Sequence, residues 1–220
     1  MKYPKRIILG LGGTHPDFLC ACFRLMETGT EIKIDSNGRV PIKSRFKNET
    51  LDARFKGIKN LNLSYNYEET EISHIWYDEY KNFPSKFFII NFKLETLDHI
   101  CQMFKEKRKV DIMKIFDYIT PELANYFKSK NISYEEIFKK FYMNSIKKFH
   151  NCKNPEIIEI NNIYNKDYVI ELLKRNLGLR GGIWERDVEY VQKFNKFYKN
   201  WHHKNKSYID KINMYYARSN

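Results

Sequence analysis

Residues 5–26 read KRIILGLGGTHPDFLCACFRLM, and the reading of this stretch decides the fold. Ile7, Ile8 and Leu9 form a short apolar run of β type, too brief for a helix and without polar alternation, as in a strand buried on both faces. The chain then passes through Gly10, Leu11, Gly12, Gly13, Thr14 and His15 and becomes apolar again from Phe18 to Met26. Strand, glycine turn and helix in that order make an anion-binding nest. Glycine lets the backbone take positive φ and approach a ligand, and the new helix aims free N–H groups and its positive dipole end at it. Pro16 and Asp17 suit the first helical turn, the one by its fixed φ and the other by its charge. The same residues also fit an ordinary strand-to-helix turn with Asp17 as a capping acid.

A phosphate loop of the G-x-x-x-x-G-K-[ST] kind carries a lysine for the phosphates and a hydroxyl for the metal. Here Pro16 and Asp17 stand where those two are expected. A carboxylate there requires a metal or a distant cation to offset it at a phosphate site.

Working outward, 220 residues suffice for one domain with a full core. Hydrophobic residues make up 42% and aromatics 16%, which argues for a packed fold despite a mean hydropathy of -0.64. The formal charge of +12 and a pI near 9.3 predict attraction to polyanions, nucleic acid first and anionic nucleotides second. Cys20, Cys22, Cys101 and Cys152 lack C-x-x-C spacing and pair with no histidines at ligand distance, so they read as buried thiols rather than a zinc site. The basic start at Met1 to Arg6 is followed by too short an apolar run for a signal peptide, and no segment reaches membrane-spanning length. The expectation is a reduced, cytoplasmic protein with no membrane partner.

Downstream of the first helix, residues 31–35 (EIKID), a Ser36-Asn37-Gly38 turn and residues 39–42 predict an inserted β-hairpin. Residues 43–66 are polar and basic (Arg45, Lys47, Arg54, Lys56, Lys59) and read as a surface loop or as an edge that contacts phosphate. The run KFFIINFK at 86–93 predicts a buried strand and residues 94–104 a helix, followed by a basic cluster at 105–109. Residues 110–150 read as an amphipathic helical insertion, a layer or lid, with Phe138, Phe141 and Tyr142 assigned to the core. Ser133 and Glu136 have capping-box spacing within it. Residues 155–160 (PEIIEI) predict a strand, 165–179 a helix, 180–182 a loop and 184–200 a long amphipathic helix, and the remainder from Trp201 is basic and ends in a polar tail. Alternating strands and helices with no repeat or linker imply a single α/β domain over 1–220, its central sheet mostly parallel and flanked by helices, with ligands at the carboxyl ends of the strands.

Three segments in order resemble the sulfotransferase-like branch of P-loop nucleotide-binding proteins. The first is GGTHPDFL at 12–19, similar to the glycine-rich loop of phage and marine-bacterial members. The second is Ser73-His74 ahead of the strand KFFIINFK and the helix LETLDHICQMF, similar to a threonine–histidine segment followed by a strand that ends in a cofactor-binding arginine. The third is EIIEINNIYNKDYVIELLKRNLGL at 156–179. Departures accompany the likeness: the loop lysine is absent, Asn91 or Lys93 stands for the arginine, and Arg180-Gly181-Gly182 is a reduced form of the C-terminal basic–glycine loop.

The resemblance implies a group transferase moving a sulfuryl group from phosphoadenosine phosphosulfate to a hydroxyl acceptor. Gly10, Gly12, Gly13, Thr14 and Asp17 would form the donor cradle, and Lys93, Arg180 and Lys105 would be candidate cations. His74 is the candidate base and His15 its alternative or a helix cap. With ATP as donor, Asp17 and Asp35 are candidate magnesium ligands; otherwise they are a helix cap and a turn residue. The basic, aromatic-rich composition keeps two other readings open: an ATP- and Mg²⁺-dependent kinase acting on a modified base in DNA, and a non-catalytic nucleic-acid-binding protein on the same fold. The polyanionic acceptor would be DNA or a polysaccharide.

Overall fold

Ile7, Ile8 and Leu9 are each fully buried, because their strand has a neighbour on either edge and packed side chains on both faces. The computed structural model describes residues 3–42, 68–74, 76–108, 129, 134–178 and 188–218. Strands β1 (Arg6–Leu9), β2 (Thr70–Ser73), β3 (Lys86–Asn91) and β4 (Glu156–Glu159) form one four-stranded sheet in the order β2-β1-β3-β4. Every pairing is parallel, and Leu9 stands level with Ser73 on one side and Ile89 on the other. The α/β class with a parallel central sheet is therefore observed.

The helices are α1 (Pro16–Thr28), α2 (Leu97–Arg108), α3 (Tyr134–Phe149), α4 (Lys166–Leu177) and α5 (Val188–Ala217). Local chemistry sets their ends. Gly29, at φ 64, closes α1 by returning its N–H to the Leu25 carbonyl. Asn165 caps α4 by accepting from the N–H groups of Asp167 and Tyr168, and Gly178 ends it at φ 69. None of the described helices is long and apolar enough to cross a membrane.

α1 is buried along most of its length, with β3 on one side and α5 on the other. The Phe23 ring lies 5.4 Å from that of Phe88, while Phe18 stacks on Trp201 at 3.6 Å and on Phe197 at 5.7 Å. Period-two alternation sends Phe87 to the opposite face, where Trp76 and Tyr80 cover it at 6.2 and 5.9 Å. Glu71 is fully buried on the edge strand and is neutralised by Arg24 of α1 at 3.0 Å. All four cysteines are free and buried.

Two expectations change. Residues 31–42 contain the turn but carry no strand. The Asp35 N–H reaches the Arg39 carbonyl at 2.9 Å, whereas Asn205 and Lys204 of α5 supply donors to the Gly38 and Asp35 carbonyls. A helix takes hydrogen bonds that a second strand would have taken. The helix expected to end at 200 runs on through the basic remainder from Trp201 as the second half of α5, with Trp201, Asn205, Tyr208, Ile209 and Ile212 buried. Residues 110–128 of the expected insertion lie outside the described residues. α3 contributes Tyr142, Ile146 and Phe149 to the main core.

Candidate functional site

The chain leaves β1 for β2 on one side and later crosses to β3 on the other, so the carboxyl ends of β1 and β3 flank a topological switch point, where open α/β sheets form their ligand crevice. The glycine loop begins there. Leu11 to Thr14 form a tight turn closed by Thr14 N–H on the Leu11 carbonyl at 3.0 Å. Gly13 stands at φ 94, the third-position geometry of a type II turn, which glycine adopts without steric cost. His15 follows in the left-handed region (φ 58, ψ 40) and delivers the chain to Pro16 at the start of α1. A non-glycine residue held there costs of order 1–3 kcal/mol and persists where its surroundings over-determine it. Trp201 and Tyr208 of α5, with Tyr164, supply that surrounding: their ring centroids lie 5.1, 5.4 and 6.1 Å from the imidazole.

Each carbonyl from residue 10 to 13 is engaged by a donor. His74 Nδ1 donates to Gly10 at 2.6 Å, and the Thr14 N–H and hydroxyl both donate to Leu11. Tyr142 of α3 donates its hydroxyl to Gly12, and Tyr208 of α5 donates to Gly13 at 3.2 Å. Burial, above all, pushes the Tyr208 hydroxyl well above its ordinary range, so it remains a protonated donor. Among the described residues, nothing accepts a hydrogen bond from the N–H groups of Gly12 and Gly13. In a trans peptide the N–H points opposite to the preceding carbonyl, so tying up the carbonyls turns the amides away from those donors. The Trp201 indole N–H, buried beside His15, also has no hydrogen-bond partner among the described residues. Gly12 is buried and Gly13 half-buried, and amide donors left without a protein partner suit an anion or ordered water.

His74 is brought from the end of β2 directly to this loop. A carbonyl only accepts, so the bond to Gly10 puts a proton on Nδ1. Lys93 stands just beyond β3; its N–H donates to the Tyr216 hydroxyl at 3.2 Å, and its ammonium lies 4.5 Å over the Tyr216 ring. Asn91 at the end of β3 donates to Glu159 at 2.7 Å, and Tyr216 donates to the other Glu159 oxygen at 2.8 Å. The Thr14 hydroxyl is committed to its own turn. Asp17 is half-buried in the first turn of α1. The Asp35 carboxylate accepts through Oδ1 from the N–H groups of Asn37 and Arg39 at 2.9 and 2.8 Å, the turn role that the sequence offers for it. Among the described residues, no group of three or more His, Cys, Asp or Glu has the geometry of a metal site. Arg180 and the side chain of Lys105 lie outside the described residues.

Sequence reasoning missed Tyr208, Trp201, Tyr216 and Glu159, and it assigned Tyr142 to the core without a role at the loop. The signal for the second half of α5 was present: Trp201, Asn205, Tyr208, Ile209 and Ile212 follow three- and four-residue spacing through a lysine-rich background. No family model, curated protein or solved structure matches the chain.

Proposed function

We propose that the loop at 10–15 and the N-terminus of α1 seat the phosphate of a nucleotide donor, and that the protein is a group transferase of the sulfotransferase-like kind. The observation that carries this reading is the pair of unpartnered N–H groups at Gly12 and Gly13, facing away from carbonyls that are all engaged, at the switch point of a parallel sheet. The donor would be phosphoadenosine phosphosulfate. His74 Nε2 takes the proton of an acceptor hydroxyl while its oxygen forms the bond to sulfur. The sulfur–oxygen bond to the donor phosphate breaks, and adenosine 3′,5′-bisphosphate leaves with the electron pair, its charge met by the loop amides and by Lys93 and Arg180.

A second reading has its own support. The formal charge of +12, with exposed Lys196, Lys199 and Lys211 on α5 making no ion pair among the described residues, favours a polyanionic acceptor such as DNA or a polysaccharide. With ATP and Mg²⁺ in place of the sulfuryl donor, the same loop would serve a kinase acting on DNA. Without either donor, the surface alone would serve nucleic-acid binding.

A thermal-shift titration with adenosine 3′,5′-bisphosphate, ADP and ATP, each with and without Mg²⁺, tests the donor. At a hundredfold excess over Kd a bound ligand adds about 2.7 kcal/mol, roughly 5–10 °C for a chain of this size. A shift with the bisphosphate that ignores Mg²⁺ supports sulfuryl transfer, and an ATP shift that requires Mg²⁺ supports the kinase. No shift with any of them removes the nucleotide site, and a salt-sensitive affinity for DNA alone would then favour the binding protein.

A further inference from the structure

We infer that Tyr142 is a positioning residue that decides which way the Gly12–Gly13 peptide faces, and so whether the loop presents an amide or a carbonyl to an anion. The inference rests on the phosphate-seating role proposed for the loop. Type I and type II turns differ mainly by a half-rotation of their central peptide, and in the turn at 11–14 that peptide carries the Gly12 carbonyl and the Gly13 N–H. Glycine at both central positions removes the steric preference that would otherwise select one form. The local sequence therefore leaves the orientation open.

The selecting contact comes from 130 residues away, where the Tyr142 hydroxyl donates to the Gly12 carbonyl. Tyr142 is itself held in place: it is 2% exposed, and its ring centroid is 6.5 Å from that of Phe92, just past β3. Holding this carbonyl sets the Gly13 N–H on the opposite side of the peptide plane. Tyr208 makes a similar bond one peptide later but decides less, because the N–H of that peptide belongs to Thr14 and is already fixed on the Leu11 carbonyl at 3.0 Å. Two buried tyrosine hydroxyls thus bond to adjacent carbonyls, and only one controls an amide available to a ligand.

The test compares Tyr142→Phe with Tyr208→Phe in the full chain, reading affinity for adenosine 3′,5′-bisphosphate by calorimetry and stability by melting temperature. Each variant loses one buried hydroxyl, so a purely structural role predicts similar losses of affinity in both. The expected result is affinity weakened roughly tenfold in Tyr142→Phe and less than about threefold in Tyr208→Phe. Equal losses, or an affinity unchanged or raised in Tyr142→Phe, overturn the positioning role while wild-type binding keeps the phosphate site. No binding by the wild type overturns both.

A measurement on the wild type covers the case in which Tyr142→Phe does not fold. On titration with the bisphosphate, the Gly13 amide ¹⁵N and ¹H resonances should move while the Gly12 carbonyl ¹³C resonance stays, since its bond to Tyr142 persists. A large Gly12 carbonyl shift on binding would mean that the peptide turns over when the anion arrives, and would overturn the inference.

Discussion

His74 Nδ1 lies 2.6 Å from the carbonyl oxygen of Gly10 and joins the end of β2 to the start of the glycine loop. The bond fixes the imidazole tautomer and removes a buried carbonyl from competition with the loop amides. Structure and proposed chemistry are separable at this residue. His74→Ala leaves the Gly10 carbonyl without its donor and should lower stability by about 1–3 kcal/mol. His74→Asn can still donate from its amide but cannot accept a proton. It should keep most of the stability and lose roughly 10²–10⁴ in transfer rate. Chemical denaturation beside a single-turnover assay separates the two, and an Asn variant with full activity would remove His74 as the base.

Gly10 has no room for a side chain. A Cβ there would stand 2.9 Å from the Pro16 Cβ and 3.0 Å from the Thr14 hydroxyl oxygen, against a ring and a hydroxyl that are both committed. Gly10→Ala should cost about 1–3 kcal/mol by overpacking and should displace the turn from α1. The urea midpoint measures the cost, and a neutral substitution would mean that the loop is looser than its hydrogen bonds indicate.

Phe18 and Trp201 stack with ring centroids 3.6 Å apart and both are fully buried, joining α1 to α5 beside the loop. Phe18→Ala should cost about 3–5 kcal/mol. It should also change the fluorescence of Trp201, whose indole is otherwise shielded from water. An unchanged emission spectrum in a destabilised variant would place the damage elsewhere.

Glu156 supplies a pH dependence of definite sign. Burial pushes its carboxyl upward, but hydrogen bonds from Lys86 and Arg175 and their positive charges outweigh burial and hold it below the ordinary carboxylate range. A folded-state value below the unfolded one gives stability that is present above the unfolded value and is lost as pH falls through the folded one. Both cations are half-exposed, so Glu156→Gln should cost at most about 1 kcal/mol at neutral pH. The gap between variant and wild type should close below about pH 4. Urea titrations at several pH values measure it, and a gap that widens in acid would contradict the assignment.

The cysteines should be inert while the chain is folded. Burial pushes the Cys152 thiol up to about 11 and those of Cys20 and Cys22 higher, so little thiolate exists at neutral pH. A colorimetric thiol reagent should find almost none at pH 7.5 and all four after denaturation. Fast labelling of the native protein would show that the α1 core opens readily.

The sequence by itself determined the class of the fold and the place of the loop. Ile7-Ile8-Leu9 and KFFIIN at 86–91 are apolar without alternation, which suits strands covered on both faces, and the glycines after the first of them required a turn into a helix. Those signals are local, because burial on both faces and positive φ restrict residue type at the position itself. The place of His74 at a strand end came from a likeness of segment order and not from any property of the histidine, and its bond to the loop came only from the structure.

Only the tertiary structure decided how the loop is held. Gly12-Gly13 permits several peptide orientations, and the donors that select among them come from Tyr142 and Tyr208, on helices far along the chain. Nothing near either tyrosine announces such a contact, since a helical aromatic facing inward reads the same whether its hydroxyl meets a carbonyl or not. The second half of α5, from Trp201 on, was obscured for a related reason. Lysine, asparagine and histidine dominate its composition, and the buried line from Trp201 to Ile212 shows only as a spacing. Local sequence specifies which conformations are allowed; a hydrogen bond between distant residues specifies which of them is adopted, and that requires the packed chain.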